Sequence, residues 1–273
     1  MGKFDGILIC TDLDGTLYRK DKSISKENRE AIEYFKSEGG FFTFITGRMP
    51  YYSTDAYNKV RPNAPFGCIN GGGVYDGEAK RYVWTADMPD GVMELVEAVD
   101  KALPDVGIQA CVLDKTYFCR ENDRMVSFRA QTGLPKLVCD YHDITEPIGK
   151  ILFGTESEEC ILNIEKILRS HKRADEFDFI RSERTLFEIL PKGVNKGLAL
   201  SKIAEHLGVD KKHSIAVGDY NNDIGMFKTA GVGIAVANAC QAALDAADLV
   251  TVSNEEHAIA KIIYDIESGN ISL

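Results

Sequence analysis

Short apolar runs that stop abruptly at a polar residue and give way to a helical pattern recur at both ends of this 273-residue chain. They limit its fold more than any other feature. Ile7-Leu8-Ile9-Cys10 ends in Thr11-Asp12-Leu13-Asp14-Gly15-Thr16, and Phe41-Phe42-Thr43-Phe44-Ile45 ends in Thr46-Gly47-Arg48. Phe66-Gly67-Cys68-Ile69 ends in Asn70 and three glycines. Ser214-Ile215-Ala216-Val217 ends in Gly218-Asp219-Tyr220-Asn221-Asn222-Asp223. A strand with almost no polar position has no face to offer water, so it belongs in a sheet covered on both sides. Helical stripes lie between these runs. Ala31, Ile32 and Phe35 follow a cap at Ser25 and stop at Gly39-Gly40; Leu200, Ile203, Ala204 and Leu207 stop at Gly208; Ile259, Ile262, Ile263 and Ile266 close the chain. With short strands at Val232–Val236 and Leu249–Val252, the β-then-α rhythm predicts an α/β parallel sheet with helices on its faces.

The middle of the chain has a different grammar. Val92, Leu95, Val96 and Val99 form a helical stripe, after which Val106, Ile108, Ala110 and Val112 alternate as in a strand with one face toward water. Strands are expected at Tyr117-Phe118, Ile151–Phe153, Phe177–Ile180 and Leu186–Leu190, with a helical stretch near Arg124–Phe128. Thr155 and Glu158 read as a capping box before Ile161, Ile164 and Leu168. The expected organisation is therefore a core made from residues 1–82 and 187–273, interrupted by an α+β insertion over residues 83–186.

A formal charge of −10 argues against a general nucleic-acid or acidic-membrane binder, so any phosphate ligand would need a local positive site. No apolar stretch approaches a membrane span. The N-terminal sequence lacks a secretory pattern. Seven scattered cysteines without a CxxC or zinc spacing read as reduced thiols in a cytoplasm.

The polar strand ends hold the chemistry. Ligands of open α/β sheets bind beyond the carboxyl ends of the strands. Asp12, Asp14, Thr46, Asp219, Asn222 and Asp223 all stand at such ends. Carboxylates gathered there repel one another unless a cation sits among them, and an oxygen-only set favours hard Mg²⁺ over zinc. Two carboxylates two residues apart allow one to attack phosphorus while the other serves the leaving oxygen. Thr46 adds a hydroxyl donor, and Lys196, opening a helix in Gly193-Val194-Asn195-Lys196-Gly197, adds a positive charge. Positioning and charge neutralisation are the main needs of phosphoryl transfer. Each piece alone has a plainer reading: Asp12 and Asp14 as turn caps, Thr46-Gly47 as a turn, Lys196 as a solvated lysine, Asp223 as a helix N-terminal carboxylate. Gly71, Gly72 and Gly73 read as a hinge or turn, because no GxGxxG accompanies them.

Taken in order, Asp12-Leu13-Asp14-Gly15-Thr16, Thr46-Gly47-Arg48, Lys196 and Gly218-Asp219-x-x-Asn222-Asp223 resemble the four motifs of the haloacid dehalogenase-like superfamily. The branch they are most similar to is the Cof-type (subclass IIB) sugar-phosphate phosphatases, on Ile69-Asn70-Gly71-Gly72, Ala235-Val236-Ala237-Asn238-Ala239 and Ala247-Asp248-Leu249-Val250-Thr251 as well. The resemblance implies a Rossmann-like parallel-sheet core with an inserted α+β type-2 cap that chooses the substrate. It implies that Asp12 is the nucleophile and a metal ligand, and that Asp14 is the general acid and base, with its backbone carbonyl on Mg²⁺. Asp219 would be the third metal ligand. Leu13 and Gly47 through their backbones, with Thr46, Lys196 and Asn222, would hold the phosphoryl group; Asp223 would support Lys196 or the metal's water shell. Arg48 reads as pairing with a helix or a carboxylate and receives no catalytic role. His257 departs from the pattern, since relatives often carry glycine there.

The reaction expected is Mg²⁺-dependent hydrolysis of a small phosphorylated metabolite, a sugar phosphate first, through a phosphoaspartate. A phosphomutase on the same scaffold and, from another class, a non-enzymatic phosphoaspartate receiver are the alternatives. Receivers are far shorter, and dehalogenation has no use for Asp14.

Overall fold

A computed structural model describes residues 2–273, which divide into two compact units. The first comprises residues up to Arg48, Ser53–Trp84 and Asn195–Leu273; the second comprises Met49–Tyr52 and Thr85–Val194.

The first unit is built on a five-stranded, all-parallel sheet in the order Leu249–Val250, Val232–Ala235, Ser214–Gly218, Leu8–Thr11, Phe41–Phe44. The central strands Leu8–Thr11 and Ser214–Gly218 are buried at every position, as their lack of a polar face requires. Helices supply the cover. Ala199, Leu200, Ile203 and Ala204 of Lys196–Leu207 pack in one cluster with Leu8, Cys10, Ala216 and Ala235. Helix Lys26–Ser37 is capped by the Ser25 hydroxyl, which accepts from the Asn28 N–H, and it buries Ala31, Ile32 and Phe35. Leu249 and Val250 stand half-exposed at the sheet's edge.

The third apolar run behaves differently from expectation. Phe66–Cys68 touches the parallel sheet through a single bridge, Gly67 to Ile45, and pairs instead with Gly73–Asp76 in an antiparallel sheet that continues to Arg81–Thr85. Its cause is local. Ile69, Asn70 and Gly71 have φ of +57°, +51° and +102°, so the chain reverses instead of running on into a crossover helix. Only Gly71 adopts that conformation freely, and a β-branched residue such as Ile69 is strained in it.

The second unit is a five-stranded sheet in the order Thr116–Arg120, Gly107–Val112, Ile148–Gly154, Leu186–Pro191, Phe177–Glu183. Its paired strands are antiparallel throughout. Helices Val92–Ala102 and Glu158–Ser170 cover one face, where Leu95, Val99, Ile161 and Ile164 meet Ile108, Ala110, Ile151, Phe153 and Ile189. Ser157 caps the second of these helices by accepting from the Cys160 N–H, so the cap is Ser157 rather than Thr155. The opposite face holds Gln109, Thr116, Lys150 and Glu188, all buried, where the alternation predicts polar side chains in water. Strand Leu186–Pro191 crosses the expected boundary at 186/187, because its whole length pairs with Phe177–Glu183. The architecture is a parallel α/β core interrupted by an antiparallel α+β insertion.

All seven cysteines are free thiols. Among the described residues no helix is long and apolar enough to cross a membrane.

Candidate active site

Adjacent parallel strands carry the site in the first unit. Leu8–Thr11 and Ser214–Gly218 pair in register, Thr11 beside Val217, so the next residues on each strand emerge together at the carboxyl edge. The Asp12 N–H still donates to the Val217 carbonyl at 2.8 Å. Beyond it the chain turns at Gly15, whose φ of +87° favours glycine. A Cβ there would also lie 2.5 Å from an Asp219 carboxylate oxygen, so Gly15 brings the first loop against the second acidic one. The Thr16 hydroxyl closes this junction by donating to Asp219 Oδ1 at 2.7 Å.

Lys196 sits at the centre. It opens helix Lys196–Leu207 behind Asn195, whose side chain accepts from the Gly197 N–H, and it is 1% exposed. Its Nζ donates to Asp12 Oδ1 at 2.5 Å and to Asp223 Oδ1 at 2.6 Å. Lys196 is therefore no solvated lysine. Asp223 does two jobs: one oxygen faces Lys196, and the other accepts the N–H groups of Asp219 and Tyr220 at 2.9 and 3.0 Å, which fixes the loop after Gly218.

The electrostatics follow from this crowding. Burial pushes the Asp12 carboxyl up to about 8 against the pull of Lys196, with Asp223 and Asp219 adding repulsion. Asp219 is pushed up to about 6, again by burial first. Burial works against the charge on Lys196, yet Asp12 and Asp223 hold its pKa above the ordinary lysine value. Asp12, Asp219 and Asp223 each offer an oxygen within 4.8 Å of the others. Three carboxylates this close repel one another, and an oxygen-only set suits a hard divalent cation, so Mg²⁺ fits it. Asp12 and Asp219 are the two side-chain ligands expected from sequence; the third expected contact is the backbone carbonyl of Asp14, and Asp223 adds a carboxylate beside them.

The Asp14 side chain goes elsewhere. Its Oδ2 accepts from Arg48 and its Oδ1 from Lys22, each at 2.6 Å. Burial raises this carboxyl, but Arg48 and Lys22 outweigh it and hold the pKa below the usual value. Arg48, expected from sequence to pair with a helix or a carboxylate, is thus the partner of the expected acid. Lys22 was missed altogether, and no local pattern marks a lysine eight residues away as a partner.

Thr46 and Gly47 follow the strand Phe41–Phe44, the neighbour of Leu8–Thr11. Thr46 is buried, and its hydroxyl accepts from the Arg48 N–H at 3.3 Å. Asn222 donates through Nδ2 to Asn70 Oδ1 at 3.2 Å, and the Asn70 N–H donates to the Thr46 carbonyl. A Cβ on Gly47 would meet that Asn70 amide at 2.8 Å. Asn70 therefore ties the Thr46 loop to the Asn222 loop. An asparagine ahead of three glycines is the signal that sequence offered, since Asn tolerates the left-handed φ it adopts here. Gly71 sits in a turn, as expected for this glycine run, and it also packs closely: a Cβ would lie 1.9 Å from the Asn195 carbonyl, at the start of the Lys196 helix. His257 takes φ +63° at its turn, a conformation glycine adopts without strain.

The chain is similar to known proteins along nearly its whole length. A model of the haloacid dehalogenase-like hydrolase family matches residues 9–263. The Bacillus subtilis protein 5-amino-6-(5-phospho-D-ribitylamino)uracil phosphatase YitU is 30% identical over 263 residues, covering 94% of this chain and 96% of that one. A second B. subtilis phosphatase of the same designation, YwtE, is 28% identical, with 96% and 98% covered. Among solved structures, a haloacid dehalogenase-like hydrolase from Bacteroides thetaiotaomicron superposes with a TM-score of 0.83 at 27% identity, covering 95% of this chain and 99% of that one. The chain belongs to the haloacid dehalogenase-like hydrolase family and, within it, to the phosphatases.

Proposed function

We propose that this enzyme hydrolyses the phosphate monoester of a small polyhydroxylated metabolite, with Mg²⁺ and through a phosphoaspartate on Asp12. The observation that carries the reading is the cluster of Asp12, Asp219 and Asp223 around buried Lys196, whose Nζ lies 2.5 and 2.6 Å from Asp12 and Asp223.

An Asp12 carboxylate oxygen attacks phosphorus as the ester P–O bond breaks. Lys196 holds Asp12 in place and offers positive charge to the transferring oxygens. The Thr46 hydroxyl, the backbone at Leu13 and Gly47, and the Asn222 amide are the neutral donors for the same oxygens. Asp14, as the acid, gives its proton to the leaving alkoxide, which departs as the alcohol. To reach it, Asp14 leaves its ion pairs with Arg48 and Lys22, and without the two cations that hold its pKa down it takes up from solvent the proton it delivers. The resulting carboxylate then takes a proton from water, whose oxygen attacks phosphorus. The Asp12–phosphorus bond breaks, inorganic phosphate leaves and Asp12 is restored. Mg²⁺ held by Asp12, Asp219 and the Asp14 carbonyl, with Asp223 close by, would neutralise charge around the phosphoryl group.

The substrate class rests on the relatives. YitU and YwtE are named for an ester that carries its phosphate on a ribityl chain, and a sugar phosphate likewise offers its phosphate beside several hydroxyls. The inserted unit is proposed as the cap that selects among such esters, and the free thiols suit a cytoplasmic setting. A phosphate-release screen with Mg²⁺ over sugar, polyol, nucleotide and cofactor monophosphates tests the assignment. Asp12→Asn should lower turnover by at least about 10⁴-fold, as loss of a nucleophile does. Normal activity in that variant would end the phosphoaspartate reading.

A further inference from the structure

A groove of about 350 Å³ lies within the first unit, lined by helix Lys26–Ser37 and helix Thr54–Val60. Its apolar lining is Ile24, Ile32 and Val60, all buried. Four charged side chains, Arg29, Glu33, Lys59 and Arg61, line it as well, and all are exposed. Two of them are neutralised by neighbours. Glu33 Oε1 accepts from Lys36 Nζ at 2.7 Å, and Lys59 Nζ pairs with Asp55 Oδ2 at 2.8 Å. The guanidinium groups of Arg29 and Arg61 have no hydrogen-bond or carboxylate partner among the described residues. The groove therefore carries two unbalanced positive charges on a chain of net charge −10. Arg61 is also strained. It ends helix Thr54–Val60 with φ of +49°, the left-handed conformation that glycine adopts freely at helix ends. Lys36 Nζ donates to the Arg61 carbonyl at 2.9 Å and fixes this turn. Glycine would suit the turn better; what the arginine adds is a cation at the groove.

We propose that this groove is a binding site for a small organic anion with an apolar body. Arg29 and Arg61 hold its phosphate, phosphonate or carboxylate group, and Ile24, Ile32 and Val60 take the body. A guanidinium presents its N–H groups as a planar fork that matches two oxygens of such a group. The apolar lining is too small for a protein partner, which would bury about 800 Å² on each side, whereas the volume is that of a small-ligand pocket. Both halves of the ligand are needed. Inorganic phosphate leaves the apolar lining in water, and a neutral aromatic molecule leaves the two arginines unanswered. None of the residues assigned to phosphoryl transfer lines the groove, so the site stands apart from the phosphatase reading.

The test is a titration of the full ¹⁵N-labelled chain with phenylphosphonate, which has no ester bond to cleave, followed residue by residue through amide chemical shifts. The amides of Ile32, Asn58 and Val60 should move and saturate. Arg29→Gln and Arg61→Gln should each weaken the apparent Kd at these amides by about tenfold, the worth of one charge-assisted hydrogen bond. Arg61→Gly should weaken it likewise while keeping the fold, because glycine suits the left-handed turn; its amide spectrum checks this. Inorganic phosphate and benzyl alcohol, each carrying one half of the ligand, should bind at least about tenfold more weakly than phenylphosphonate. Shifts around Asp12 and Lys196 report the active site and are fitted separately. Shifts confined to the active site, groove shifts that do not saturate, or a Kd unchanged by both Arg29→Gln and Arg61→Gln overturn the proposal. Inorganic phosphate or benzyl alcohol binding as tightly as phenylphosphonate overturns it too.

Discussion

Asp223 divides its two oxygens between a buried ammonium and two backbone N–H groups, and this division predicts a graded response to substitution. Asp223→Asn keeps the shape but has one acceptor oxygen where the carboxylate has two. Turned toward the backbone, the amide presents an NH₂ group to Lys196; turned toward Lys196, it leaves the N–H groups of Asp219 and Tyr220 unmet. Either way one job is lost. Asp223→Ala loses both. Removing one partner of a buried ion pair costs about 3–5 kcal/mol, and the lower end applies because Asp12 still faces Lys196. Unmet buried N–H groups add about 1–3 kcal/mol. We expect Asp223→Asn to cost about 3 kcal/mol and Asp223→Ala about 5 kcal/mol, a large share of the roughly 5–15 kcal/mol by which domains are stable. Urea unfolding followed by the fluorescence of Trp84 is a suitable assay. It is the single tryptophan and packs against the hydrophobic core of the first unit, so it reports the unit that holds the site. Costs below about 1 kcal/mol for both variants, or Asn as damaging as Ala, would refute the idea that the two oxygens do separate work.

Asp14→Ala should slow release of the alcohol and hydrolysis of the phosphoaspartate alike, by about 10²–10⁴-fold, measured by single-turnover kinetics. An effect on one half-reaction only would contradict its dual role. Removal of Mg²⁺ with a chelator should stop activity reversibly. The affinity should also follow the carboxyl pKa values, because Asp12 and Asp219 are raised above their ordinary range and must shed their protons to bind metal. As pH falls from 8 to 6 one proton competes, so the apparent Kd for Mg²⁺ should rise about tenfold per unit, and about a hundredfold per unit below 6, where both do. A pH-independent Kd from titration calorimetry between pH 5 and 8 would exclude those two carboxyls as the ligands.

Much of the core was legible in the residues alone. Strands such as Ile7–Cys10 and Ser214–Val217 lack a polar face, and only a doubly covered parallel sheet accommodates them; their carboxyl ends then mark where a ligand goes. Other features depended on residues far apart in sequence. Whether Phe66–Cys68 joins the parallel sheet was decided by the backbone of Ile69-Asn70-Gly71, because apolar composition is the same in a parallel strand and in a hairpin. The limits of the insertion were set by pairing: Leu186–Pro191 follows Phe177–Glu183, and no composition change marks position 194.

The sequence by itself determined the kind of sheet, the places where it ends in polar residues and the residue types that stand there, because periodicity and turn chemistry are local properties. Only the tertiary structure decided who faces whom. It set Lys196 between Asp12 and Asp223, 184 and 27 residues away, turned Asp14 toward Arg48 and Lys22, and buried Gln109 without a partner. Those outcomes depend on the direction of side chains brought together by separate strands and helices. Coulomb energy and hydrogen bonding act on distances through space, which the order of residues along the chain does not contain.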